Sequence, residues 1–73
     1  MSEKLVTTFL AGLMKRRRMT KKDKDRFYKF LKNRGAPLDD IEIVDCVMDD
    51  MIEGKDINPE DAKTVLHILW GIK

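Results

Sequence analysis

Residues 39–54 read DDIEIVDCVMDDMIEG, and their spacing decides the fold. Ile41, Ile43, Val44, Val47, Met48, Met51 and Ile52 recur at three- and four-residue steps and cover about half of a helix circumference, which is broad for a surface helix and predicts a central position. Only Ile41-Glu42-Ile43 alternates as a strand would, and it lies inside the longer helical pattern. Asp39 reads as the N-cap, with Glu42 completing a capping box and Leu38 facing Ile43 in a hydrophobic staple. Gly54 ends the helix.

Upstream, Thr20-Lys21-Lys22-Asp23 has capping-box spacing and opens a second helix, which Gly35 closes and Pro37 keeps from resuming. Its apolar stripe is narrow: Phe27, Phe30 and Leu31, with Tyr28 at the edge. The segment Thr20 to Arg26 holds no apolar residue, so this end is expected to project into solvent. Downstream, Asn58-Pro59-Glu60-Asp61 is a helix start, with Asn as cap, Pro where no donor is needed, and acids facing the positive end of the dipole. That helix runs to Trp70 before Gly71, burying Ala62, Val65, Leu66 and Leu69. The first helix follows Ser2 as cap and sets Leu5, Val6, Phe9, Leu10 and Leu13 on one face. It is expected to end near Lys15 or Arg16, because continuing would carry Arg17 onto that apolar face. These signals predict an all-α fold, a compact bundle of four short helices at about 3–16, 20–34, 39–53 and 59–70, forming a single helical domain over residues 1–73.

Seventy-three residues bury only a thin core, and a fold of this size rarely keeps more than roughly 3–5 kcal/mol of net stability. Cys46 is the only cysteine and His67 the only histidine, so neither an internal disulfide nor a Cys/His metal set can be assembled, and no cofactor is expected. The apolar stretch Leu5 to Met14 is too short to span a bilayer. Lys15-Arg16-Arg17-Arg18 follow that stretch, whereas a secretory signal places its cations first. The expected setting is the reducing cytoplasm, with no membrane partner.

The formal charge of +2 conceals a segregation. From Lys15 to Arg34, eleven Lys or Arg against two acids leave nine net positive charges. From Gly35 to Asp56, eight acids against Lys55 leave seven net negative ones. Lys22, Arg26 and Lys29 form a ridge opposite the apolar stripe of the second helix, with Lys21 and Lys32 beside it and the corner of Lys15, Arg16, Arg17 and Arg18 next to it. Such a row suits phosphate, because Lys and Arg release condensed counterions when they neutralise a nucleic-acid backbone. The alternative for any charge run is a solvated face that keeps a small protein soluble. Sequence-specific reading is less expected than backbone contact, since the third helix, which follows the Gly35–Leu38 turn as a recognition helix would, carries seven acids from Asp39 to Glu53.

Glu42, Asp45, Asp49, Asp50 and Glu53 form an acidic face whose like charges repel at three- and four-residue spacing. Neutralisation by the second helix, a basic protein partner and a divalent cation compete to offset them, and the row lacks the enclosed oxygen cage that calcium prefers. Met14, Met19 and Trp70 either pack at the edge of the core or together mark an apolar patch for a partner or second subunit. Nothing points to an enzyme. His67 falls on the polar side of its helix, Cys46 lies among carboxylates that disfavour a nucleophilic thiolate, and no glycine-rich phosphate loop exists. No small-molecule substrate is expected.

Two functional expectations follow. The first is a small non-catalytic regulatory protein contacting nucleic acid or a nucleoprotein assembly through Lys15, Arg16, Arg17, Arg18, Lys21, Lys22, Arg26 and Lys29. The second is a protein–protein interaction module, such as a homodimeric inhibitor or adaptor, that docks through Glu42, Asp45, Asp49, Asp50 and Glu53 or through an apolar patch near Trp70.

Overall fold

The computed structural model of the chain describes residues 2–71 and contains four helices and, among those residues, no strand: α1 (Ser2–Leu13), α2 (Lys21–Asn33), α3 (Leu38–Ile52) and α4 (Pro59–Trp70). The all-α bundle read from the periodicity is the fold observed. α3 is central, packing against α2 on one side and α4 on the other, and α4 in turn carries α1. The result measures 28 × 24 × 20 Å.

Each helix brings one apolar ridge to a shared core. α3 contributes Ile41, Val44, Val47, Met48 and Met51; α2 contributes Phe27 and Leu31; α1 contributes Val6 and Phe9; α4 contributes Val65, Ile68 and Leu69. The buried arc of α3 is narrower than its apolar residues suggest, because Ile43 is exposed and Ile52 half-buried. On α4 the fully buried set includes Ile68 and leaves Ala62 and Leu66 half-buried, a rotation of the inner face towards α3. On α1, Leu5 and Leu13 are half-buried and Leu10 is exposed.

The helix boundaries correct several expectations. α3 starts one residue earlier than read, at Leu38 directly after Pro37, and has no side-chain cap. Pro37 presets the extended backbone and its carbonyl accepts from Ile41 N–H, so Asp39 and Asp40 fall in the first turn, where they face the positive end of the dipole. Asp39 is therefore no N-cap, and Leu38, 77% exposed, makes no staple. α1 includes Ser2, read as its cap, whose side chain lies outside the described residues. By contrast, Thr20 caps α2 in a full capping box with Asp23, and Asn58 caps α4 by accepting from Glu60 N–H at 2.9 Å.

The helix ends share one device. Gly35, Gly54 and Gly71, after α2, α3 and α4, all adopt left-handed backbone (φ 78°, 79° and 71°), the conformation that turns a chain off a helix. α1 ends the same way without a glycine. Lys15 has φ 57°, Arg16 N–H donates to Ala11 C=O at 2.9 Å, and Lys15 N–H donates to Gly12 C=O at 3.1 Å, a Schellman motif closed by a lysine. That turn, two residues earlier than expected, lifts Arg16, Arg17 and Arg18 off the apolar face.

Met19 then dives into the core, 2% exposed, against Gly12. A Cβ at Gly12 would stand 2.5 Å from Met51 Cε and 2.8 Å from Met19 Cε, so the missing side chain is what lets both methionines reach α1.

Candidate nucleic-acid interface

The beginning of α2 does not project freely as its composition suggested. Asp23 stands one and two turns before Phe27 and Leu31, on the same ridge, and is 2% exposed. Its carboxylate is fully engaged: Oδ1 accepts from Arg17 Nη2 at 2.7 Å, and Oδ2 accepts from Thr20 N–H at 3.0 Å and Thr20 Oγ1 at 3.1 Å. A buried charge is tolerable only with such partners. Arg17 is thus spent on the fold, holding the α1–α2 turn onto α2.

Three of the eight cations read as phosphate contacts have intramolecular partners. Besides Arg17, Lys15 Nζ lies 3.0 Å from Asp56 and Lys29 Nζ lies 3.1 Å from Asp25. Both of these pairs are highly exposed and contribute little to stability. Arg16, Arg18, Lys21, Lys22 and Arg26 are exposed and make no ion pair among the described residues. Arg16 and Arg18 flank the turn, while Lys21, Lys22 and Arg26 climb the outward side of α2, with Lys22 and Arg26 one turn apart. Lys32 lies over the Tyr28 ring at 5.7 Å, further along the same outer side.

Two other cations of the basic segment fold back onto neighbouring helices. Lys24 Nζ donates to Asp49 Oδ1 at 2.7 Å across the α2–α3 seam, and that hydrogen bond raises the lysine above its ordinary pKa. Arg34 Nη1 donates to Leu69 C=O at 2.7 Å and Nη2 donates to Ile68 C=O, while the guanidinium lies 5.1 Å over the Phe30 ring. It caps the C-terminus of α4, where a cation meets the negative end of the dipole.

The acidic face is divided. Asp49 meets Lys24, and Glu53 meets Lys55 at 3.0 Å. Asp45 sits beside Lys24 and Asp49 with Oδ1 buried and without a hydrogen-bond partner among the described residues; desolvation raises its carboxyl above the ordinary value, Lys24 opposes the rise, and Asp49 adds to it. Asp50 is half-buried. Glu42 borders a separate groove of about 380 Å³ shared with Asp39, Ile43, Cys46, Val47 and Asp61. That groove brings Cys46 beside three carboxylates and no histidine; His67 is exposed elsewhere on α4. No cluster of His, Cys, Asp and Glu suited to a metal occurs among the described residues, and no described helix is long and apolar enough to cross a membrane.

Met14, Met19 and Trp70 do not make one patch. Met19 is in the core. Met14 is exposed at the end of α1 that approaches the α3–α4 loop, where Lys15 reaches Asp56, and Trp70, 52% exposed, lies at the opposite end of α4, about 18 Å of helix away.

Asp23 and Arg34 are the structural residues that charge counting misses. For Asp23 the signal existed, because its i+4 and i+8 spacing to Phe27 and Leu31 puts it on the buried ridge. For Arg34 there was none, since its acceptors lie 34 and 35 residues away. Searches against protein-family models, characterised proteins and solved structures returned no match for this chain.

Proposed function

We propose that this chain is a small non-catalytic protein that binds the backbone of nucleic acid through Arg16, Arg18, Lys21, Lys22 and Arg26, alone or within a nucleoprotein assembly. The observation that carries this reading is that these five cations, which follow the α1–α2 turn and the outer side of α2, are without acidic partners among the described residues, while Arg17, Lys24 and Arg34 of the same segment are used by the fold. Long cations without a neighbouring Asn or Gln set favour phosphate contact over base-edge reading. Lys15 and Lys29 can join the row, because their exposed pairs exchange readily for phosphate.

Fluorescence anisotropy with short labelled oligonucleotides tests it. If all five cations engage duplex DNA, log affinity falls with log salt at a slope of roughly −4.5. Replacing Arg16 and Arg18, or Lys22 and Arg26, by Ala should flatten the slope by about two. Absence of binding at low salt, or binding indifferent to these substitutions, would overturn the reading.

A second reading rests on the groove beside α3. Asp39, Glu42 and Asp61 there make no ion pair among the described residues and surround the exposed Ile43, a lining that complements a basic amphipathic protein segment. It requires that Glu42→Lys abolish capture of such a partner while leaving nucleic-acid affinity unreduced.

A further inference from the structure

A cleft of about 510 Å³ opens between the α1–α2 turn and the α3–α4 loop, within the size range of ligand sites. Its lining is apolar where α1 and α3 meet, with Leu13, Met51 and Ile52, closed by Ile57 from the loop. Its remaining walls are charged. Among the lining cations Lys15 is paired with Asp56, Lys55 with Glu53 and Arg17 with Asp23. Arg18 has no ion pair among the described residues. Arg18, which lines this cleft beside its apolar wall, is therefore also a member of the row assigned above to phosphate.

We propose that this cleft receives one unstacked nucleobase of a single strand whose phosphates follow Arg16, Arg18 and the outer cations of α2, so that the chain prefers single-stranded nucleic acid to continuous duplex. The inference rests on the backbone-binding reading and deepens it. A base has a flat, weakly hydrated face that gains from contact with aliphatic and thioether groups such as Leu13, Ile52 and Met51, and arginine planes at the edge can stack on it. Phosphate and base of one nucleotide are joined through a single sugar, which matches a cation of the row that also lines a cleft with one apolar wall. A base within a duplex is already stacked and paired and must be flipped out before it can enter. No base-edge pairing is required, so the preference is for strand state and not for sequence.

The test uses the full chain and a short oligonucleotide with 2-aminopurine at one position, as single strand and as blunt duplex, at low salt. Single strand should bind about tenfold tighter than duplex, a difference of about 1.4 kcal/mol, and 2-aminopurine emission should rise as the base leaves its stacked neighbours. Ile57→Trp, filling the cleft, should remove the single-strand advantage and the emission change while leaving duplex affinity in place. Lys22→Ala/Arg26→Ala should weaken both forms alike. Equal affinity for the two forms, or single-strand binding with unchanged emission, would overturn the inference and leave backbone binding standing. Failure of both forms to bind would remove both. The wild-type emission decides the matter even if Ile57→Trp does not fold.

Discussion

Asp23 shows how one residue can belong to the core without being apolar. Its two oxygens satisfy the Thr20 cap and Arg17 together, so removing it opens the capping box and strands the guanidinium that ties down the turn. Asp23→Ala should cost about 2 kcal/mol, which thermal denaturation would register as a fall of about 10 °C for a domain of this size. Asp45 behaves in the opposite sense. Burial raises its carboxyl above 3.8, so the folded chain binds that proton more readily than the unfolded chain does. The stability this contributes is present below pH 3.8 and is lost as pH rises through the folded value, leaving an unfavourable charge at neutrality. Asp45→Asn should therefore raise the melting temperature at pH 7, and the gain should shrink as the pH is lowered from neutrality through the raised folded value towards 3.8; an unchanged difference across that range would show that Lys24 already compensates the charge.

Among the helices, α1 ends differently from the others. Its Schellman motif is closed by Lys15 in a left-handed conformation that glycine adopts freely and a side chain resists. Lys15→Gly should stabilise the fold by about 0.5–1 kcal/mol once the extra freedom of glycine in the unfolded chain is set against the relieved strain. The lost pair with Asp56 is too exposed to reverse the sign. A melting temperature a few degrees higher is the expected readout. α2 is anchored at both ends by charge, through Asp23 and Arg17 at its start and Arg34 on the α4 carbonyls at its finish, with a narrow apolar ridge between. This polar anchoring lets a helix of low apolar content carry an outward row of cations without detaching.

For the molecule as a whole, the segregation of charge along the chain becomes a partition in space. α2 and α3 are neighbours, yet Lys24–Asp49 is the only ion pair joining the two helices among the described residues. The remaining cations of α2 therefore do not serve to balance α3, and the fold should not depend on them. Lys22→Ala/Arg26→Ala should melt within a few degrees of the wild type, since substitutions of exposed residues away from structural features usually stay within about 0.5 kcal/mol each. A large loss of stability in that variant would mean that the row is structural and would count against a binding role.

Much of the fold was legible in residues 39–54 and their flanks, because helical periodicity, Asn58-Pro59, Thr20 with Asp23, and the terminal glycines act within one or two turns of chain. The cap assigned to Asp39 failed because Pro37 had already set the backbone before it, and the early end of α1 was hidden because lysine is not the residue that usually adopts a left-handed turn. Four helices, their order and the separation of positive from negative charge follow from residue spacing alone, because all of them depend on neighbours close along the chain. Which charges are spent is fixed by packing: Arg17 on buried Asp23, Lys24 on Asp49 and Arg34 on the end of α4. Packing likewise set Met19 apart from Met14 and Trp70, and placed the cleft beside Arg18. Those outcomes depend on which groups meet after packing, where burial makes an unpaired charge costly and distance along the chain no longer matters.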